Sequence, residues 1–497
     1  MTSAYQQLVD HFQQLYRLDH LAAICHWDQA TMMPAGSNEA RSEAMAELAL
    51  IRHRRLTAPE VGDWLDAVVP HSLDTSQRAN VREMRRVWRQ ATVLPEALVR
   101  AQSLAGARCE HAWRDQRKQN DWSGFAVNLR EVVKLSREEA SVRAQANGGG
   151  RYDSLLDLYE PGMTAARLDT LFGDIAGWLP ELSQEIIARQ SGETCTRSTG
   201  PFPVESQRAL GLRVMSQLGF DFQCGRLDIS AHPFCGGVPE DVRITTRYTD
   251  DDFTVGLMGV IHETGHGCYE QNLPVNWRGQ PAGQARSMGI HESQSLLFEM
   301  QLGRHAAFLH WLAPLLAESF GDAVSPLLAS DNLQRLYTRV KPGLIRVDAD
   351  EVTYPCHVML RYEIERALIE GNIEVNDIPE LWDQKMQAGL GLSTAGDYRN
   401  GCMQDIHWTD GGFGYFPTYT LGAMYAAQLF AALSRDLGGL ETLLREGDLR
   451  PLSDWLRERV WHRGSLLEAP ELMREATGEE LNPVWFRRHL EHRYLAR

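Results

Sequence analysis

The sequence predicts a mainly α-helical protein with one small antiparallel β-sheet placed against a single histidine-bearing helix. Apolar side chains recur at helical spacing through most of the first 200 residues, in segments rich in Ala, Leu, Glu and Arg and poor in Gly and Pro. Strand character is confined to 226–230 and 241–248, which alternate in polarity and carry β-branched side chains on either side of a Gly/Pro turn region, Pro233 to Pro239. Helical patterns return from 285 to the end.

Taken in order, 3–18 brings Tyr5, Leu8, Val9, Phe12, Leu15 and Tyr16 to one face. Segments 38–54, 75–92, 95–120 and 124–146 follow, and Asn147-Gly148-Gly149-Gly150 stops the last of them. Gly200-Pro201-Phe202-Pro203 interrupts the chain again before the strands. Beyond them, 286–304, 356–371, 417–434 and 469–477 read as helices. The intervening helix is rich in glycine, with Gly256, Gly259, Gly265 and Gly267. Each costs a helix roughly 1 kcal/mol against Ala, which points to close backbone approach or a crowded site.

A chain of 497 residues that is 43% hydrophobic can bury a large core. No Pro/Gly/Ser-rich linker and no fixed-period repeat divides it, so a single unit over 1–497 is expected, with a helical part at 1–200 and the chemistry in 201–497. The net charge of −16 argues against nucleic acid or an anionic membrane as the main partner. The most apolar stretch, 421–434, is too short and interrupted to span a bilayer. The N-terminal residues lack a cationic region followed by an apolar one, and the eight scattered cysteines form no Cys-x-x-Cys pair. Reduced thiols and a cytoplasmic location are expected.

The chemistry concentrates in His262-Glu263-Thr264-Gly265-His266. Histidines four apart share a helical face and can reach one ion, with Glu263 able to face water at that ion. Catalytic zinc takes three protein ligands, so a third is needed. Glu292, in His291-Glu292-Ser293-Gln294, is the leading candidate; His291 is a weaker one, Glu270 a rival ligand or an outer partner, and Glu299 a more remote rival. Two His and one Glu describe a thermolysin-like peptidase site.

Further motifs stand in order: HPF (232–234), DVRIT (241–245), HESQ (291–294), IRVDAD (345–350) and GCMQDIHW (401–408), with CHWDQATMMPAG at 25–36. Together with HETGH they resemble the carboxypeptidase Taq family of thermostable metallocarboxypeptidases over essentially the whole chain. The resemblance implies a neurolysin-like helical fold with a deep cleft, a homodimer, and removal of single C-terminal residues from peptides with broad specificity and zinc or cobalt as metal. It implies His262, His266 and Glu292 as metal ligands, Glu263 as general base, and Arg346 as the group holding the terminal carboxylate of the substrate. His232 and His407 match motif positions near the substrate. Tyr419 is the first candidate for an oxyanion donor and Tyr415 the second. Asp241, Arg243 and Thr245 are expected to shape the sheet, and Gln294, Gln404 and Asp405 to serve as outer acceptors for the histidines. Pro355-Cys356-His357 departs from the expected apolar helix entry. An endo-oligopeptidase of related fold would use the same metal chemistry without needing a free terminal carboxylate.

Overall fold

The computed structural model describes residues 3–197, 200–328 and 331–496. The expected helices form, several of them longer than their periodicity suggests. The first runs Ala4–Thr31, capped by the Ser3 side chain on the Gln6 amide, and Asn38–Leu56 follows. Thr75–Thr92 opens with a reciprocal capping box between Asp74 and Gln77. Trp122–Asn147 ends at Gly148 in the left-handed conformation, as the glycine run predicts.

Apolar burial divides unevenly. One continuous core runs from Leu98 to Tyr494 and contains most buried side chains, including Trp382, Trp461 and Phe308. A smaller cluster of Leu8, Phe12, Leu15, Leu56, Val61, Leu65 and Met84 lies among the first helices. Polar contacts tie this region to the rest. The Asn80 amide donates to Gln280 at 3.2 Å, and Arg286 reaches buried Glu83 at 2.9 Å.

The sheet differs from expectation. Strand β1 (Gly225–Ile229) lies parallel to β3 (Asp241–Thr246), while β2 (Cys235–Val238) pairs antiparallel with the other edge of β3. The sheet is therefore mixed, with β3 central. Cys-Gly-Gly-Val has little strand propensity and reads as part of a turn, which hides β2 in the sequence. Thr245 fixes the arrangement, since its hydroxyl accepts from Ser230 Oγ at 2.8 Å and from the Phe234 amide at 3.0 Å. On the neighbouring face, the Arg226 and Arg243 guanidinium groups stack over Trp27 of the N-terminal motif at 5.0 and 4.5 Å. Asp241 pairs with Arg243 at 2.6 Å, so the DVRIT residues do shape the sheet.

Behind the sheet runs the helix Phe253–Gln271, which carries HETGH. It packs against Met288–Leu296, which in turn lies along Pro417–Leu437. The expected single helix over 286–304 is two kinds of helix: an α-helix to Leu296, then a wider π-helical stretch over Leu297–Gly303. Tyr354–Glu370 accommodates Pro355 in its first turn, where a missing amide costs little. His357 is fully buried there. Burial and the adjacent Arg361 charge push its pKa down to about 3. All eight cysteines are free thiols.

The glycines of the HETGH helix divide by what a methyl group would meet. At Gly265 it would strike the Gln294 carbonyl and come within 2.7 Å of Ser295 Cα, so backbone faces backbone. At Gly259 the nearest atom is Thr246 Oγ1 at 3.8 Å, ordinary contact. Gly265→Ala is therefore expected to destabilise the fold by about 2–3 kcal/mol through overpacking. Gly259→Ala should be neutral or stabilising by up to about 1 kcal/mol. Equilibrium denaturant unfolding of the two variants checks the contrast.

Candidate metal centre and arginine cluster

His262 and His266 project from one face of their helix, and Glu292 meets them from the neighbouring one. Their potential ligand atoms all lie within 4.8 Å of one another. Glu292 Oε2 is 3.4 Å from His266 Nε2, and its Oε1 is 4.0 Å from His262 Nε2. A tetrahedral ion about 2.1 Å from each donor would separate the donors by roughly 3.4 Å, so the spacing fits a zinc-sized ion. The approach depends on Gly422 of the third helix, where a methyl would fall 2.8 Å from Glu292 Cβ.

Outer partners aim both rings. His262 Nδ1 lies 2.9 Å from Glu299 Oε2, and Arg304 holds the other Glu299 oxygen at 2.6 Å. His266 Nδ1 lies 2.7 Å from His291 Nδ1, whose Nε2 is 2.7 Å from Glu270 Oε1. Protons on His262 Nδ1, His266 Nδ1 and His291 Nε2 satisfy both chains. With an ion in place of the His262 Nε2 proton, that assignment would leave the Nε2 lone pairs of His262 and His266 free to hold it beside Glu292. Glu270, His291 and Glu299 are thus outer partners in this arrangement. The acceptors expected from sequence take other roles. Gln294 accepts from Trp461 at 2.8 Å, while Gln404 and Asp405 bind Arg346.

The electrostatics favour a cation. Burial works against charge on His262, yet the bond to Glu299 and the charges of Glu292 and Glu263 carry its pKa up to about 10. Burial dominates at His266 and pulls it down to about 4. Glu263 is itself buried, and burial raises it to about 7. Its Oε2 is buried without a hydrogen-bond partner among the described residues.

A second cluster of opposite character lies beside this one. Arg346 is buried and donates through Nε and NH2 to Asp405 Oδ1 at 3.0 and 2.9 Å. Its NH1 donates to the Tyr354 hydroxyl at 2.9 Å, and its guanidinium sits 4.9 Å from the Tyr419 ring. Asp348 and Asp350, the pairing partners nearest in sequence, are not used. Asp405 is shared with Arg361, whose Nε donates to Oδ2 at 2.6 Å and whose side chain is fully buried. Two guanidinium groups therefore face one carboxylate, which leaves one positive charge uncompensated. Burial pushes the His407 pKa down to about 4, so that ring adds no charge at neutral pH. Burial raises Tyr354, Tyr415 and Tyr419, and the Glu292 charge adds to each, so all three remain phenols.

His407 Nε2 is 3.1 Å from the Tyr419 hydroxyl, and the Tyr415 ring packs 5.4 Å from that of Tyr419. The structure thus gathers Glu263, Glu292, Arg346, His407, Tyr415 and Tyr419 into adjoining clusters. His232 is exposed in the turn before β2, and its ring makes no hydrogen bond among the described residues. Sequence reasoning missed Tyr354 and Arg361. Tyr354 lies eight residues after Arg346 at a helix start, and Arg361 follows seven later on the same helix. A basic residue on a helix with an apolar face was the available signal for Arg361.

Comparison with known proteins bears on the same region. Residues 7–494 match the family described as Carboxypeptidase Taq (M32) metallopeptidase. The chain is 40% identical to thermostable carboxypeptidase 1 of Thermus thermophilus, covering 99% of each chain. It is 35% identical to carboxypeptidase 1 of Bacillus subtilis over 97% of each. The solved structure of Trypanosoma cruzi metallocarboxypeptidase 1 superposes with a TM-score of 0.97 at 49% identity, covering 99% of each chain. The chain therefore belongs to the carboxypeptidase Taq (M32) family and is a metal-dependent carboxypeptidase.

Proposed function

We propose that the protein removes single residues from the C-termini of peptides, with His262, His266 and Glu292 holding one divalent ion, zinc by ligand preference and cobalt as a substitute. Such an ion supplies Lewis acidity toward water and the scissile carbonyl. Glu263 Oε2 takes a proton from the attacking water and passes it to the leaving amine. Its buried, unpartnered oxygen supports that role.

Arg346 binds the terminal carboxylate of the substrate. The observation that carries this reading is the uncompensated charge of Arg346, Arg361 and Asp405 in a buried cluster close to Glu292. An anion entering there removes a costly imbalance, and a guanidinium edge not engaged by Asp405 can grip a carboxylate in two bonds. Tyr354 holds that guanidinium in place from the other side. With its proton on Nε2, His407 donates to the Tyr419 oxygen and leaves the phenol proton free for the developing oxyanion, with Tyr415 behind it. His232, exposed at the sheet, is a further donor for the peptide backbone.

These groups all address main-chain atoms of the substrate, which supports broad specificity for the departing side chain. The reading includes a single catalytic unit over 1–497, a homodimer and a cytoplasmic location. Free thiols at all eight cysteines fit a reducing compartment.

A peptide with a free C-terminus should lose residues one at a time from that end in a mass-spectrometric time course, while its amidated twin stays intact. Internal cleavage of both would make the enzyme an endo-oligopeptidase and remove Arg346 from the mechanism. Arg346→Met should lower kcat/KM by about 100-fold, mostly through KM, as expected for losing a buried charge-assisted pair worth about 3 kcal/mol. Glu263→Gln should lower kcat by about 10³-fold with metal affinity changed only a few-fold. Retention of turnover in that variant would exclude Glu263 as the base.

A further inference from the structure

The π-helical stretch Leu297–Gly303 carries Glu299, the partner of His262 Nδ1, and stops abruptly at Arg304. Carbonyl groups at such a terminus need partners, and here two of them are supplied from far along the chain. Arg493, in the last helix (Val484–Leu495), donates to the Met300 and Gln301 carbonyls, the latter at 3.0 Å. Its NH1 also donates to Glu351 at 2.8 Å. Glu351 has no exposed side-chain surface, and it further accepts from Tyr494 at 2.7 Å and lies 3.1 Å from His489. On the near side, Arg304 binds Glu299 at 2.6 Å and is itself stabilised as a cation by Glu299 and then Glu351, against the effect of burial. Two buried ion pairs therefore flank the π-helical stretch: Arg493 with Glu351 on the side of the C-terminal helix, and Arg304 with Glu299 on the side of His262.

We propose that Arg493 is a positioning residue for the metal centre, which caps the π-helical terminus in trans and so holds Glu299 at the angle that orients the His262 ring. This rests on the assignment of His262 as a ligand. A guanidinium suits this position because its two terminal nitrogens divide the work, NH1 serving the Met300 carbonyl and Glu351 while NH2 reaches the Gln301 carbonyl, a spread that a single ammonium nitrogen does not span. Arg493 touches neither substrate nor ion, so its influence is read through affinity for the metal.

The test uses the full chain, with zinc and cobalt dissociation constants measured by chelator competition, the visible absorption spectrum of the cobalt-loaded protein, and kinetics at saturating metal. Arg493→Lys keeps a charge beside Glu351 and guards against misfolding; Arg493→Met removes it. Weakening of zinc binding by about 10-fold is expected in Arg493→Lys and more in Arg493→Met, in the range typical of lost outer partners, with an altered cobalt spectrum and KM nearly unchanged. Glu299→Gln should weaken binding similarly, and the Arg493→Lys/Glu299→Gln double variant should show much less than the product of the two effects. Unchanged metal affinity in a folded Arg493→Lys protein, or full multiplicativity with Glu299→Gln, would overturn the proposal. Unchanged affinity in His262→Ala would instead overturn the ligand assignment beneath it.

Discussion

Glu292 can meet His262 and His266 because three helices touch where side chains would normally keep them apart. Gly265 lets the HETGH helix rest on the backbone of Met288–Leu296, and Gly422 lets Pro417–Leu437 lie against the Glu292 side chain itself. A methyl at either point would move a helix by a good fraction of the spacing that an ion tolerates between donors. The glycines oppose helix formation locally, so burial in the continuous core must hold these helices. Stability and ligand geometry are in this way the same packing problem.

On that scaffold the protein separates charge. Carboxylates of Glu263, Glu292 and Glu299 surround the paired histidines and favour a cation. A short way off, Arg346 and Arg361 outnumber Asp405 and favour an anion. Three phenols and a neutral imidazole lie beside these charged groups, able to donate hydrogen bonds without adding charge of their own. A peptide terminus presents a carboxylate and, one residue inward, a polarisable carbonyl, which is the complementary pattern. Burial amplifies both fields, since little water is present to screen them.

Much of this was legible in the sequence, for reasons that can be named. His262, Glu263 and His266 are read from a spacing that only a helix turns into a site. The helices at 75–92 and 469–477 were visible to the residue, because their apolar period and caps agree. Strand β2 was not legible, because Cys235-Gly236-Gly237-Val238 takes its extended shape from pairing with β3 rather than from its own preferences. The switch from α to π geometry at Leu297 was hidden for a similar reason: its carbonyls find Arg493, nearly 200 residues later. Outer partners were the weakest part of the reading. Glu270, His291 and Glu299 could be weighed as candidates, but helical spacing alone does not say which of several carboxylates lies beside a ring and which lies beyond it.

Which nitrogen and oxygen atoms hold the ion decides every role assigned around it. Anomalous diffraction at the zinc absorption edge from crystals of the metal-loaded protein reads this directly. The expected result is one ion at about 2.0–2.2 Å from His262 Nε2, His266 Nε2 and a Glu292 oxygen, with Glu299 and His291 on the far nitrogens of the two rings. An ion ligated by Glu270, His291 or Glu299, or bound through the Nδ1 atom of either histidine, would contradict it.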